Sequence, residues 1–160
     1  MRISFDLDDT LICYGDGIPA EPPPGWFRRW LISPEPLRFG ARSLIRRLAE
    51  RGWDVWILTT SNRSPRTVRR WLRAYGIRIG RVINQTVYER HLGDSGFYNP
   101  PSKHPGLFGI DLHVDDSDGV RIEGEQHGFR VVVVSPDDEQ WTETVFLAAE
   151  KLWQNRNKAQ

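Results

Sequence analysis

The stretch ISFDLDDTL, at residues 3–11, is the segment from which the fold of this chain can be predicted. It belongs to a short run of apolar, β-favouring residues that ends in the acids Asp6 and Asp8 and is followed by Thr10. This composition predicts a buried strand at residues 1–7 whose carboxyl end carries two carboxylates and a hydroxyl. The end of this strand is therefore the first place to look for a polar site.

Four more strands are predicted downstream, and helical segments separate them. The strands are short apolar runs bounded by polar residues or turn signals, at residues 54–58, 81–84, 111–114 and 129–134. Helices are predicted from the apolar spacing and the capping residues, at residues 40–51, 64–75, 118–127 and 136–154. Strands that alternate with helices in this way favour an α/β three-layer sandwich of the Rossmann type, with a central five-stranded, mainly parallel sheet.

Two long segments show no regular pattern. Residues 13–39 are rich in glycine and proline, and within them residues 26–32 could form one or two helical turns. Residues 85–102 also contain glycines and prolines and are predicted to be irregular. Neither segment is long enough to build a hydrophobic core of its own. The 160 residues are therefore predicted to form one domain, 1–160, with two loop insertions.

The composition excludes several classes of protein. With 39% hydrophobic and 27% charged residues, the chain can build a packed core and is not disordered as a whole. It contains no apolar run of about 18 residues, so no membrane-spanning helix is expected. Cys13 is the only cysteine, which excludes an internal disulfide framework and a zinc site made of several thiolates. The N-terminus does not resemble a secretory signal, and a cytoplasmic location is expected.

The charges are distributed unevenly along the chain. Residues 38–90 contain 13 arginines and three acids, whereas residues 91–150 contain 12 acids and three lysines or arginines. The basic block suggests an anionic partner such as a phosphoester or a nucleic acid. The alternative is that these arginines line solvated helix faces and pair with the acidic half after folding.

Polar residues follow the predicted strands, and the carboxyl ends of parallel strands lie at one edge of a sheet, where ligands bind. Lys103 lies shortly before the fourth predicted strand, and Asp115 and Asp116 follow directly after that strand. Carboxylates held close together repel one another, and a divalent cation removes that repulsion. Since the ligands are hard oxygens without a histidine cluster, Mg²⁺ fits better than zinc. The residues expected at this edge are Asp6, Asp8, Thr59, Thr60, Ser61, Asn62, Lys103, Asp115 and Asp116.

In this order the residues resemble the four motifs of the haloacid dehalogenase (HAD) superfamily of phosphohydrolases. Residues 3–11 resemble its first motif, an apolar strand followed by Asp-x-Asp-x-Thr. The strand that ends at Thr59, the separate Lys103, and the strand that ends in Asp115 and Asp116 resemble the other three. The resemblance spans residues 3–116 and implies a HAD-like catalytic domain. It also places the two irregular segments at the family's cap positions, without a full cap domain.

The resemblance implies a role for each residue. Asp6 would be the nucleophile that forms an aspartyl-phosphate, and Asp8 would protonate the leaving group and then activate water. Thr59 would hold the transferring phosphoryl group, and Lys103 would neutralise charge beside it. The metal ligands would be Asp6, the backbone carbonyl of Asp8, and the pair Asp115 and Asp116, whose order of importance stays open. Thr60, Ser61 and Asn62 are the expected substrate-binding residues.

The predicted activity is Mg²⁺-dependent hydrolysis of a phosphomonoester, either a small molecule or a phosphate end of a macromolecule. Two alternatives stay open on the same fold: a phosphotransferase that uses the same Asp6, and a non-catalytic module that binds phosphate or nucleic acid. A receiver domain is disfavoured because the third strand, residues 81–84, supplies no aspartate. The four histidines share no spacing and are interpreted as structural or surface residues.

Overall fold

The five predicted strands form one sheet in which every strand pairing is parallel. The structure is a computed structural model that describes residues 1–25, 35–93 and 100–158. The sheet has the order β3-β2-β1-β4-β5. The predicted α/β class with a central five-stranded sheet is therefore confirmed. The strands are β1 (Arg2–Phe5), β2 (Asp54–Leu58), β3 (Val82–Ile83), β4 (Leu112–Asp115) and β5 (Val131–Val133).

Helices cover both faces of the sheet. The connections between parallel strands are right-handed as a rule, which places α1 and α2 on one face and α3 and α4 on the other. The described residues hold five α-helices: α1 (Ala41–Glu50), α2 (Pro65–Ala74), α3 (Gln85–Gly93), α4 (Asp118–His127) and α5 (Trp141–Lys158). Helix α5 packs against α1 on the first face. The result is a three-layer sandwich.

The larger part of the core lies on the first face. There the alternate side chains of β1, β2 and β4 pack against the apolar stripes of α1, α2 and α5. A smaller cluster on the second face joins Leu58, Ile83, Tyr88, Phe108 and Ile110. Burial on both faces explains the apolar runs of β2 and β3, whereas β1 and β4 alternate apolar side chains with Ser4 and His113.

One segment differs from the sequence prediction. Residues 85–102 were expected to be irregular, but α3 occupies Gln85–Gly93. The backbone N–H of Val87 donates to Oδ1 of Asn84 at 3.1 Å, so Asn84 caps the helix. The prediction was wrong because Tyr88 is the one fully buried side chain of this helix, and its apolar pattern is too weak to reveal it. The helical turns predicted for residues 26–32 lie outside the described residues.

The topology determines where a site can form. From β1 the chain adds β2 and β3 on one side of the sheet, and it then adds β4 and β5 on the other side. The point where this direction changes lies between β1 and β4, and α/β sheets bind ligands at such a point. Ser4 on β1 pairs in register with His113 on β4. Because side chains alternate along a strand, Ser4 and Asp6 share the second face with His113 and Asp115. No helix in the described part of the chain is long and apolar enough to span a membrane.

A glycine permits close packing between α4 and β5. A Cβ atom at Gly124 would lie 2.8 Å from the carbonyl oxygen of Phe129 and 3.2 Å from Cγ2 of Val131. Although two glycines weaken the intrinsic helix propensity of α4, the helix forms, and one of these glycines is required by the contact.

We expect Gly124→Ala to lower the free energy of unfolding by about 1–3 kcal/mol, because the backbone of Phe129 must move to admit the methyl group. The matched control is Gly119→Ala in the exposed first turn of the same helix, where the added Cβ meets only the hydroxyl of Ser117. Urea unfolding of both variants measures the effect. A loss of stability in the control as large as that in Gly124→Ala would contradict this explanation.

Candidate active site

A buried lysine joins the ends of the two central strands. Nζ of Lys103 lies 3.0 Å from Oδ1 of Asp6, which follows β1, and 2.6 Å from Oδ2 of Asp115, the last residue of β4. All three side chains are almost completely buried. An unpaired charge at this depth costs several kcal/mol, so each of these residues depends on the others. The pairing holds the carboxyl ends of β1 and β4 together.

A third carboxylate completes an acidic cluster. Asp6, Asp115 and Asp116 each contribute one oxygen, and these three oxygens lie within 4.8 Å of one another. One lysine cannot neutralise three carboxylates. Although Oδ1 of Asp6 is close to Lys103, it receives no well-directed hydrogen bond from the described residues. The cluster therefore keeps excess negative charge and a buried oxygen that can serve as a ligand for a cation.

The burial of this cluster shifts the pKa values of its acids in opposite directions. Burial raises the pKa of Asp6, and the charge of Lys103 only partly opposes this. Burial also acts to raise the pKa of Asp115, but the hydrogen bond with His113 and the charge of Lys103 outweigh it and leave that pKa well below its usual range. Burial and the neighbouring Asp115 raise the pKa of Asp116. Burial alone would lower the pKa of Lys103, yet Asp6 and Asp115 raise it, so it stays charged.

The buried side chain of His113 contacts Asp115, one of the three acids of the cluster. Nε2 of His113 lies 2.9 Å from Oδ2 of Asp115, and Nδ1 lies 2.8 Å from the hydroxyl of Ser4. Oδ1 of Asp115 accepts a hydrogen bond from the backbone N–H of Ser117 at 3.0 Å. The carboxylate of Asp115 is thus held on three sides. His113 was not predicted to belong to the site, although its position two residues before Asp115 on one strand already placed both side chains on the same face.

A tight turn after β1 positions the second aspartate of the first motif. The backbone N–H groups of Leu11 and Ile12 both donate to the carbonyl of Leu7, and Asp9 adopts a left-handed conformation with φ of 53°. Aspartate tolerates this conformation better than most residues. The turn directs the side chain of Asp8 away from the Asp6, Asp115 and Asp116 cluster.

The carboxylate of Asp8 is held by an arginine and a tyrosine. Nη1 of Arg63 donates to Asp8 at 2.9 Å, and the hydroxyl of Tyr14 donates to its other oxygen at 2.6 Å. Arg63 also donates to Glu35 through Nε at 3.1 Å, and to the hydroxyl of Ser61 at 2.7 Å. Burial and the hydrogen bond to Asp8 raise the pKa of Tyr14 to about 12, so Tyr14 remains a donor at neutral pH. Arg63, Tyr14 and Glu35 were not anticipated from the sequence.

The polar segment after β2 lies at the same edge of the sheet. Thr59 is buried at the end of β2, and its hydroxyl accepts a hydrogen bond from the backbone N–H of Ser61 at 3.1 Å. Ser61 connects this segment to Asp8 through Arg63. Thr60 and Asn62 are exposed. The structure therefore gathers Asp6 and Asp8 with the β2 segment and the β4 acids at one edge, in two groups of direct contacts.

We expect Lys103→Met, in a buffer with EDTA, to lose about 3–5 kcal/mol of unfolding free energy at pH 8, because Asp6 and Asp115 are then buried together without a cation. Loss of the lysine raises the folded-state pKa of both acids. Stability is consequently lost above those pKa values and recovered as the pH falls and the acids become protonated. Urea titrations at pH 5 and pH 8 measure this. The exposed Lys151→Met is the control, and a deficit independent of pH would contradict the assignment.

The fold resembles that of a protein chain of known structure. The chain superposes on one from the "Structure of Pnkp1/Rnl/Hen1 complex" with a TM-score of 0.55 and 15% sequence identity, over 83% of this chain and 45% of that one. It therefore spans less than half the length of that neighbour. At this identity the likeness concerns the fold alone. No family model and no curated protein matches the sequence.

Proposed function

We propose that this chain is a HAD-like phosphohydrolase that cleaves phosphomonoesters through an aspartyl-phosphate on Asp6, with Mg²⁺ as its cofactor. The observation that carries the proposal is the buried contact of Asp6 with Lys103 beside Asp115 and Asp116, at the reversal point of the sheet. Residues 1–160 would form the single catalytic domain. A phosphorylated compound would be the substrate.

The donor set fits a hard divalent cation. Asp6, Asp115 and Asp116 offer only carboxylate oxygens, and their combined charge exceeds that of Lys103. We assign Asp6 and Asp116 as direct ligands, together with the backbone carbonyl of Asp8. Asp115 acts mainly by orienting its neighbours, since Lys103 and His113 already occupy its Oδ2. When bound, the cation would stabilise the ionised form of Asp6 and neutralise charge on the substrate phosphate.

In the first step, an oxygen of Asp6 attacks the phosphorus of the ester. The bond between phosphorus and the leaving oxygen breaks, and that oxygen takes a proton from the carboxyl group of Asp8. Lys103, within 3.0 Å of Asp6, stabilises the charge that gathers on the phosphoryl oxygens. The hydroxyl of Thr59 donates to one of these oxygens, and the segment from Thr60 to Asn62 contacts the rest of the substrate.

In the second step, water replaces Asp6. The carboxylate of Asp8, now deprotonated, takes a proton from water as the water oxygen attacks phosphorus. The bond between phosphorus and Asp6 breaks, which regenerates the Asp6 carboxylate and releases inorganic phosphate. Tyr14 and Arg63 donate to the carboxylate of Asp8, the form that takes the proton from water, and hold it in one orientation for this step.

The decisive test is the Mg²⁺-dependent release of p-nitrophenol from its phosphate. We expect Asp6→Asn to lower kcat by at least about 1,000-fold, because the amide cannot act as the nucleophile. EDTA is expected to abolish the wild-type activity. Asp118→Asn, an exposed aspartate two residues beyond the cluster, is the matched control and should retain full activity. Undiminished activity in Asp6→Asn would contradict the proposed mechanism.

His113 should influence how tightly the cation binds although it is not a ligand. His113→Leu removes the hydrogen bond that holds Asp115, and we expect the Mg²⁺ affinity to fall by about tenfold. Isothermal titration calorimetry measures this directly and requires no turnover. The matched control is His91→Leu at an exposed position on α3, which should leave the affinity unchanged. Equal affinities in wild type and His113→Leu would show that His113 has no such role.

A further inference from the structure

The fold separates the basic block of the sequence into two parts. Arginines on α1 pair with acids on α5: Arg47 lies 2.9 Å from Glu143, and Arg51 lies 2.5 Å from Glu150. For these two residues, the expectation that the basic and acidic halves of the chain pair with each other holds. Each of these two arginines therefore already has an acidic partner within the molecule.

The arginines of α2 do not follow this rule. Residues 55–88 contain seven arginines and no acid at all. Arg66, Arg70 and Arg73 lie on α2, and Arg78 lies in the turn that follows it, all four exposed. Within residues 1–25, 35–93 and 100–158, none of these four arginines forms a salt bridge. We refer to Arg66, Arg70, Arg73 and Arg78 as the arginine row.

The row is electrostatically unfavourable for the isolated helix. Arg66 and Arg70, and Arg70 and Arg73, are spaced four and three residues apart, so their like charges face each other on one side of α2. Arg66 lies in the first turn, where the helix dipole disfavours a positive charge, and that turn contains no acid. An anion bound along the row would relieve both kinds of repulsion.

The far end of the row opens into a groove. A surface cavity of about 600 Å³ lies between the end of α2 and the turn that follows it, and its lining includes Arg69, Arg73 and Arg78. Arg69 is anchored there by a hydrogen bond to the carbonyl of Gly80 at 2.8 Å. The groove thus combines concave shape with three guanidinium groups.

The row begins at the candidate active site. Helix α2 follows β2 and starts at the carboxyl edge of the sheet, directly after Arg63, which contacts Asp8. Its ten residues extend about 15 Å towards the opposite edge. A chain of regularly spaced anions that lies along the row would therefore have one end at the carboxyl edge of the sheet, where Asp6 and Asp8 also lie.

We infer that the arginine row binds the sugar–phosphate backbone of a single-stranded polynucleotide whose terminal phosphate is the group cleaved at Asp6. The position of the terminal phosphate rests on the proposed function, whereas binding along the row does not. Guanidinium groups match phosphate oxygens in bidentate geometry, and a row of three arginines on α2, continued by Arg78 in the following turn, suits a single backbone. The substrate class is thus a phosphorylated nucleic-acid end.

The test is fluorescence anisotropy with a labelled single-stranded DNA of about 12 nucleotides that carries terminal phosphates. Asp6→Asn protein with Mg²⁺ is used so that the probe is not hydrolysed. In this background we expect Arg66→Gln, Arg70→Gln and Arg73→Gln together to weaken binding at least about tenfold. The slope of log affinity against log salt concentration should fall by about 2, because each contact with a single strand contributes about 0.7.

A matched triple variant controls for net charge. Arg121, Arg130 and Arg156 are exposed and lie away from α2, on α4, before β5 and on α5. Their replacement by Gln changes the net charge equally and should leave binding unchanged. Melting temperatures verify folding, and if the row triple variant does not fold, Arg70→Gln alone should lower the slope by about 0.7.

Three results would overturn the inference. Both triple variants could lose binding equally, polyglutamate of the same charge could compete as well as unlabelled DNA, or removal of the terminal phosphates could leave the affinity unchanged. Asp6-dependent hydrolysis of p-nitrophenyl phosphate is measured separately. If that hydrolysis persists while the row proves irrelevant, the inference fails and the proposed function stands. If row-dependent binding persists without any Asp6-dependent hydrolysis, the proposed function fails and the binding surface stands.

Discussion

The contact of Lys103 with Asp6 and Asp115 is the constraint on which the rest of the site depends. Three charged groups lie at the centre of a parallel sheet, where water solvates them poorly, and they are tolerated because Lys103 contacts both carboxylates. The contact requires β1 and β4 to be neighbours, although 106 residues separate Phe5 from Leu112 in sequence. Lys103 itself lies just before the 3₁₀ helix Pro105–Phe108, which buries Phe108 in the smaller core cluster and so fixes the approach of the lysine.

The remaining charge imbalance gives the site its chemical character. A lysine can compensate one carboxylate, and the cluster contains three. His113 and the backbone N–H of Ser117 hold Asp115 by hydrogen bonds. Asp6, by contrast, has its pKa raised by burial and keeps an oxygen with unused hydrogen-bonding capacity. Apolar side chains of similar volume in place of buried ion pairs are often neutral or stabilising in proteins. Stability alone therefore does not explain this cluster, whereas the binding of a cation would.

The sequence was sufficient to predict the parts of the structure that depend on local pattern. The five strands could be located as short, mainly apolar runs bounded by polar residues or turn signals, and α2 because Ser64 and Pro65 mark its start. The role of Arg63 could not be predicted, since its partner Asp8 is 55 residues away. The alternation of side chains on β4 already placed His113 beside Asp115, but its contact with Ser4, 109 residues away, could not be predicted. Helix α3 was missed for a different reason, because its stability comes from the cap at Asn84 and from Tyr88 rather than from a repeating apolar stripe.

The arginines, too, show the difference between what local sequence predicts and what depends on contacts between distant residues. A block of arginines in a sequence does not show which of them will find acids, because a partner can be distant, as Glu143 is from Arg47 at 96 residues. Packing of α1 against α5 brings these two residues together, whereas α2 lies beside β3 at the edge of the sheet, and Arg66, Arg70 and Arg73 on it form no salt bridge with the described residues. The positive charge that remains after folding is therefore concentrated along a helix that starts at the carboxyl edge. Net charge of +1 for the whole chain conceals this concentration, and only the topology reveals it.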